Sequence, residues 1–124
     1  FYMPPPYQQV HYQITKKYST KNLIICRSIH ENTNLTNDHK IFDYFHLGPI
    51  FTTLSHPNGK TIDEENISYI SKKLSNIVLV GGINKNNAKK LLKYNFSGIA
   101  IMRELLLSRS PEKTFMELRE KINE

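Results

Sequence analysis

Four short apolar runs constrain this chain more than anything else in it: NLIIC at 22–26, FDYFHLG at 42–48, IVLV at 77–80 and SGIAIM at 97–102. Each is too short for a helix and too uniformly apolar for a strand with one wet face, which predicts strands buried on both faces. Amphipathic or polar segments separate them. Asp63 is a predicted N-cap, followed by Ile67, Ile70 and Leu74 at helical spacing. Asn84 is predicted to cap a helix from about Lys85 to Tyr94, with Asn95 in the left-handed C-terminal position. REL at 103–105 begins a short helical segment. In the last helix Ser110 caps, Pro111 takes the first position, and Phe115, Leu118 and Ile122 form one apolar stripe. At the other end, residues 1–22 form a poorly defined segment in which 7–18, behind Pro6, is predicted as a short helix.

Strand and helix in alternation indicate an α/β domain with a parallel sheet, and both an open doubly wound sheet and a (β/α)8 barrel fit. A complete barrel takes ~250 residues, so 124 residues with four βα units amount to a partial barrel in a single incomplete domain, 1–124. No stretch has the length of a membrane span and the N-terminus lacks the order of a secretion signal, so a cytoplasmic protein with no membrane partner is expected. Cys26 is the single cysteine, which excludes an internal disulfide; it reads as a small buried strand residue. The net charge of +6 is scattered rather than concentrated in a basic tract, and the aromatic residues do not interleave with it. Nucleic acid is therefore not the expected partner, whereas a small anion accounts for the charge as well. His11, His30 and His39 show no metal-ligand spacing, and His46 reads as an ordinary strand residue.

The third run ends in Gly81 and Gly82, immediately before a predicted helix. In parallel α/β folds, ligands sit beyond the carboxyl ends of the strands. Glycines there let a ligand approach the backbone, and their amides are donors suited to a phosphate. A Gly-Gly pair alone also fits a plain tight turn. The next strand end, SGIAIMREL, adds the amides of Met102 and Arg103, and barrel phosphate sites commonly draw on the last two strand-to-helix loops. Gly82→Asp is expected to repel a phosphate and block its approach.

GPIFTTLS, IVLVGGI and SGIAIM, together with RSIH at 27–30, resemble the thiamine phosphate synthase family in order and spacing over about residues 23–122. The resemblance implies strands 5 to 8 of a TIM barrel. It also implies a transferase of thiamine biosynthesis, joining hydroxymethylpyrimidine diphosphate to thiazole phosphate. By that resemblance Thr53 and Ser55 are the hydroxyls that hold the thiazole phosphate, completed by Gly81, Gly82 and the backbone of Met102 and Arg103. Ser28 and His56 fall on the pyrimidine diphosphate side. No protein nucleophile is implied, and positioning plus stabilisation of the departing diphosphate carry the catalysis.

The chain departs from the family in two places. His56 stands where a lysine usually meets the diphosphate, and a histidine carries less charge than a lysine at neutral pH; Lys60 is a substitute four residues on. Magnesium belongs to the family, but its aspartate ligands and the pyrimidine-binding early strands have no counterpart here, because the first acidic residue is Glu31. Thiazole tautomerases, a related branch, use a histidine where this chain has Pro49, which favours the synthase branch. The chain opens on Phe1, as a C-terminal portion of a longer protein would. Two other readings stand beside an incomplete synthase. One is a non-catalytic phosphate-binding half-barrel whose open sheet edges require a homo-oligomer; the other is a degenerate enzyme.

Overall fold

Strand pairing turns the four apolar runs into one sheet. The computed structural model describes residues 24–31 and 42–123. It contains β1 (Cys26–Ile29), β2 (Tyr44–Leu47), α1 (Glu64–Lys73), β3 (Ile77–Val80), a 3₁₀ helix (Ala88–Lys93), β4 (Gly98–Ala100), α2 (Arg103–Leu106) and α3 (Pro111–Ile122). The sheet order is β1-β2-β3-β4 with every neighbouring pair parallel. This is an α/β domain, as the alternation predicts. The predicted helix at 7–18 lies outside the described residues.

Register explains which residues are buried. Ile29, Leu47, Leu79 and Ile99 align across the four strands, and Arg27, Phe45 and Ile77 form the next row on the same face. Ile67, Ile70 and Leu74 from the first helical stretch, Ala88 and Leu91 of the 3₁₀ helix, and Leu118 of α3 close over this face as one core. The opposite face carries Ser28, His46, Val78 and Gly98 in one row, with Cys26 and Tyr44 on one side and Val80 and Ala100 on the other. All of these are half-buried or exposed. Among the described residues, then, helices cover one face of the sheet, not the two expected. Four-residue strands are too short for sequence alone to separate a wet face from a dry one, since the second face is itself apolar in β3. Cys26 is accordingly half-buried on the open face.

Several boundaries also move. β1 begins at Cys26 rather than residue 22, because its partner β2 begins at Tyr44, and Ile24 before it is 75% exposed. The segment after Gly82 is turns and a 3₁₀ helix, not an α-helix from Lys85. Asn84 still satisfies the opening amides, its Oδ1 accepting from the N–H groups of Asn86 at 2.8 Å and Asn87 at 3.1 Å. However, Asn87 Oδ1 accepts in turn from the Asn84 N–H. This reciprocal pairing holds the chain in a turn where a helix would otherwise start. The left-handed residue is Asn76 after α1, with φ 59°, rather than Asn95, whose side chain reaches the Ser71 carbonyl. In α3, Leu118 is 1% exposed but Phe115 is 51% exposed, and Thr114 takes the inward position. Ser110 does not cap through its side chain; the Ser108 hydroxyl accepts from the Ser110 N–H instead.

Asp63 behaves as expected: its Oδ1 accepts from the Asn66 N–H at 2.8 Å, and Glu64 and Glu65 occupy the first turn where the helix end favours acids. Glu64 also accepts from Lys93 Nζ, tying α1 to the 3₁₀ helix and raising the Lys93 pKa above its ordinary value. Because the folded-state value is the higher one, any contribution to stability is present below the ordinary lysine range and lost as pH rises through the raised value.

Leu47 and Leu79 are fully buried at the centre of the sheet. Truncating either to Ala is expected to cost about 2–5 kcal/mol. Urea unfolding followed by circular dichroism measures this; a change below about 1 kcal/mol would place the core elsewhere.

Candidate functional site

The β2-to-α1 connection folds back over the end of β3. Ile50 N–H donates to the Val80 carbonyl at 2.9 Å and Phe51 N–H to the Gly81 carbonyl at 3.1 Å. This crossing accounts for both glycines: Gly81 and Gly82 have φ of 100° and 65°, values that disfavour any side chain. There is no room for one either. A Cβ on Gly81 would lie 2.7 Å from Pro49 Cα, and one on Gly82 would meet the Thr52 carbonyl and lie 2.8 Å from the Phe51 oxygen. Bare backbone is thus required first by the crossing loop.

The crossing sets the geometry of a cleft of about 770 Å³ at the carboxyl ends of β3 and β4. Thr53, Ser55, His56, Gly81, Gly82, Met102 and Arg103 all line it. Two loops distant in sequence therefore meet around the glycine turn. Among the described residues the amides of Gly81, Gly82, Met102 and Arg103 meet no acceptor, and all four residues line the one cleft. Such groups are normally paired, with protein or with a polar partner from outside it.

The hydroxyls take defined roles. Thr53 Oγ1 accepts from the His56 N–H at 3.1 Å, closing a small turn. Ser55 Oγ accepts from Arg103 Nη2 at 2.6 Å, a contact across 48 positions of sequence. Around the glycines, Asn87 Nδ2 donates to the Gly82 carbonyl at 2.8 Å, Glu104 Oε1 accepts from the Lys85 N–H at 3.3 Å, and Lys121 Nζ donates to the Lys85 carbonyl at 2.7 Å. Asn87, Glu104 and Lys121 hold the loop and escaped sequence reasoning, because each acts through a partner far along the chain or inside an unexpected turn. Ser28 does not reach the cleft. It lies on the open face of the sheet beside His46. Lys60 is exposed and outside the lining.

A family model described as thiamine monophosphate synthase matches residues 6–105. The chain belongs to that family. It is 31% identical over 105 residues to a thiamine-phosphate synthase of Pyrococcus furiosus, covering 83% of this chain and 51% of the relative. With a Prochlorococcus marinus thiamine-phosphate synthase it shares 37% identity over 75 residues, 60% of this chain and 21% of that one. A solved thiamine phosphate pyrophosphorylase from Pyrococcus furiosus superposes with a TM-score of 0.74 at 28% identity, over 89% of this chain and 54% of the other. A second, from Bacteroides thetaiotaomicron, shares the fold at a TM-score of 0.60 and 15% identity, over 98% of this chain and 80% of the other. The chain thus spans about half the length of the Pyrococcus relative and about a fifth of the Prochlorococcus one.

For this member of the thiamine monophosphate synthase family, no group of three or more His, Cys, Asp or Glu stands together among the described residues. Among the described residues the one acid lining the cleft, Glu104, is engaged by the Lys85 amide. These residues do not fit a divalent cation.

Gly82→Asp consequently tests the loop crossing before it tests any ligand. Even Gly82→Ala is expected to lose about 1–3 kcal/mol without ligand, from strained φ and the Thr52 carbonyl. Gly98→Ala, with nothing within 4 Å of its Cβ, is expected to stay within about 0.5 kcal/mol. Parallel thermal melts of the two variants check the contrast, and equal losses would contradict it.

Proposed function

We propose that the cleft is the thiazole phosphate half-site of a thiamine phosphate synthase, and that β1 to β4 correspond to strands 5 to 8 of its barrel. The observation that carries the reading is that Gly81, Gly82, Met102 and Arg103, whose amides meet no acceptor among the described residues, line one cleft with Thr53 and Ser55. A phosphate is acceptor-only, so a wall of donors suits it, and the glycine turn keeps that wall free of side chains. Family membership and the half-length match to a thiamine phosphate pyrophosphorylase support the rest.

In the proposed reaction the carbon–oxygen bond between the pyrimidine methylene and its diphosphate breaks, and the electron pair leaves with the diphosphate. The thiazole nitrogen then donates its lone pair to the methylene carbon, forming the new carbon–nitrogen bond. No protein base is needed, because the thiazole nitrogen carries no proton. What these residues contribute is position: the amides of Gly81, Gly82, Met102 and Arg103 with the two hydroxyls fix the phosphate, and the thiazole ring is thereby held for attack. Ser28 and His56 are assigned to the pyrimidine diphosphate side. Small phosphorylated substrates are the proposed ligands; no helix among the described residues is long and apolar enough to cross a membrane.

Calorimetric titration with hydroxyethylthiazole phosphate tests the site directly. Saturable 1:1 binding is expected, and Ser55→Ala is expected to weaken it about tenfold, a loss of ~1.4 kcal/mol. Absence of binding to the folded chain would remove the assignment.

A further inference from the structure

Of the described residues that line the cleft, three have side chains that can carry charge: His56, Arg103 and Glu104. Glu104 directs its carboxylate to the Lys85 amide, and the recorded bonds of His56 are through its backbone. Among the described residues that line the cleft, Arg103 is the one permanent cation. Its Nη2 donates to Ser55 Oγ, and among the described residues its guanidinium pairs with no carboxylate. A guanidinium has five N–H donors in a planar fork, so most of the fork remains available. Ser55, accepting from that cation, keeps its own proton to donate.

We infer that the Arg103 side chain, seated on Ser55, is the cationic anchor of the cleft and grips a phosphoryl oxyanion there. This goes beyond the backbone role of Arg103 and rests on reading the cleft as a phosphate site. The contact places the positive charge where the loop after β2 meets the loop after β4, against the turn with the free amides. Neutral donors alone bind a phosphate weakly in water, because each exchanges one hydrogen bond for another; a fork that adds charge and bidentate geometry changes that balance. The chemistry applies equally to the thiazole monophosphate and to the diphosphate of the second substrate.

The test is calorimetry on the full chain with two probes, hydroxyethylthiazole phosphate and inorganic pyrophosphate. It compares wild type, Arg103→Gln, Arg103→Lys and, as a control for net charge, the exposed Arg109→Gln. Arg103→Gln is expected to weaken binding at least tenfold and Arg109→Gln less than twofold, with Arg103→Lys between them. The probe that loses more identifies which oxyanion the fork meets. If wild type binds but Arg103→Gln stays within twofold on both probes, the anchor is overturned while the phosphate site stands. If wild type binds neither probe, both fall together. A second measurement needs no variant: wild-type binding must weaken from low to high sodium chloride, and affinity indifferent to salt would overturn a cationic anchor even if a substitution unfolds the chain.

Discussion

Two backbone hydrogen bonds, Ile50 N–H to Val80 and Phe51 N–H to Gly81, pin the loop after β2 across the end of β3. Everything at the candidate site depends on this crossing. It demands glycine at 81 and 82, where positive φ coincides with backbone approaching too closely for a Cβ. It also delivers Thr53 and Ser55 to a place they could not reach from the end of their own strand. The glycines thus serve two ends at once: their Cβ side accommodates the crossing, and both residues line the cleft.

The sheet beneath is asymmetric. Its helix-covered face, built from Ile29, Leu47 and Leu79 with Ile67, Ile70, Leu91 and Leu118, is buried, with Ile99 packed against it. The other, with Ser28, His46 and Val78, is only half-buried. The proposed barrel reading would account for this asymmetry, because one surface of a barrel wall packs on helices and the other faces the interior.

Around the cleft, side chains tie the loops to one another and to the short helices. Asn84 and Asn87 cap each other, Asn87 holds Gly82, Glu104 holds the Lys85 amide, and Lys121 holds its carbonyl. Lys85 adds an ion pair with Glu117 of α3 at 3.4 Å, a contact that solvent screens. The glycine turn is therefore braced by α2 and α3, which lets a surface feature keep a defined shape.

By itself the sequence determined the class of fold, the order of its elements and many of the residues that line the cleft. Uniform apolar runs separated by helical spacing leave few architectures open, and glycines, hydroxyls and caps at strand ends announce themselves locally, as Asp63 and Gly81–Gly82 do. Tertiary structure decided what depends on partners distant in the chain. Where β1 starts follows from where β2 starts, and whether a strand face is wet depends on what packs there. Whether Asn84 opens a helix or a turn hangs on Asn87 and on the loop it braces. That Arg103 rests on Ser55 was likewise invisible, because a contact across 48 residues exists only once parallel strands bring two loops to the same edge.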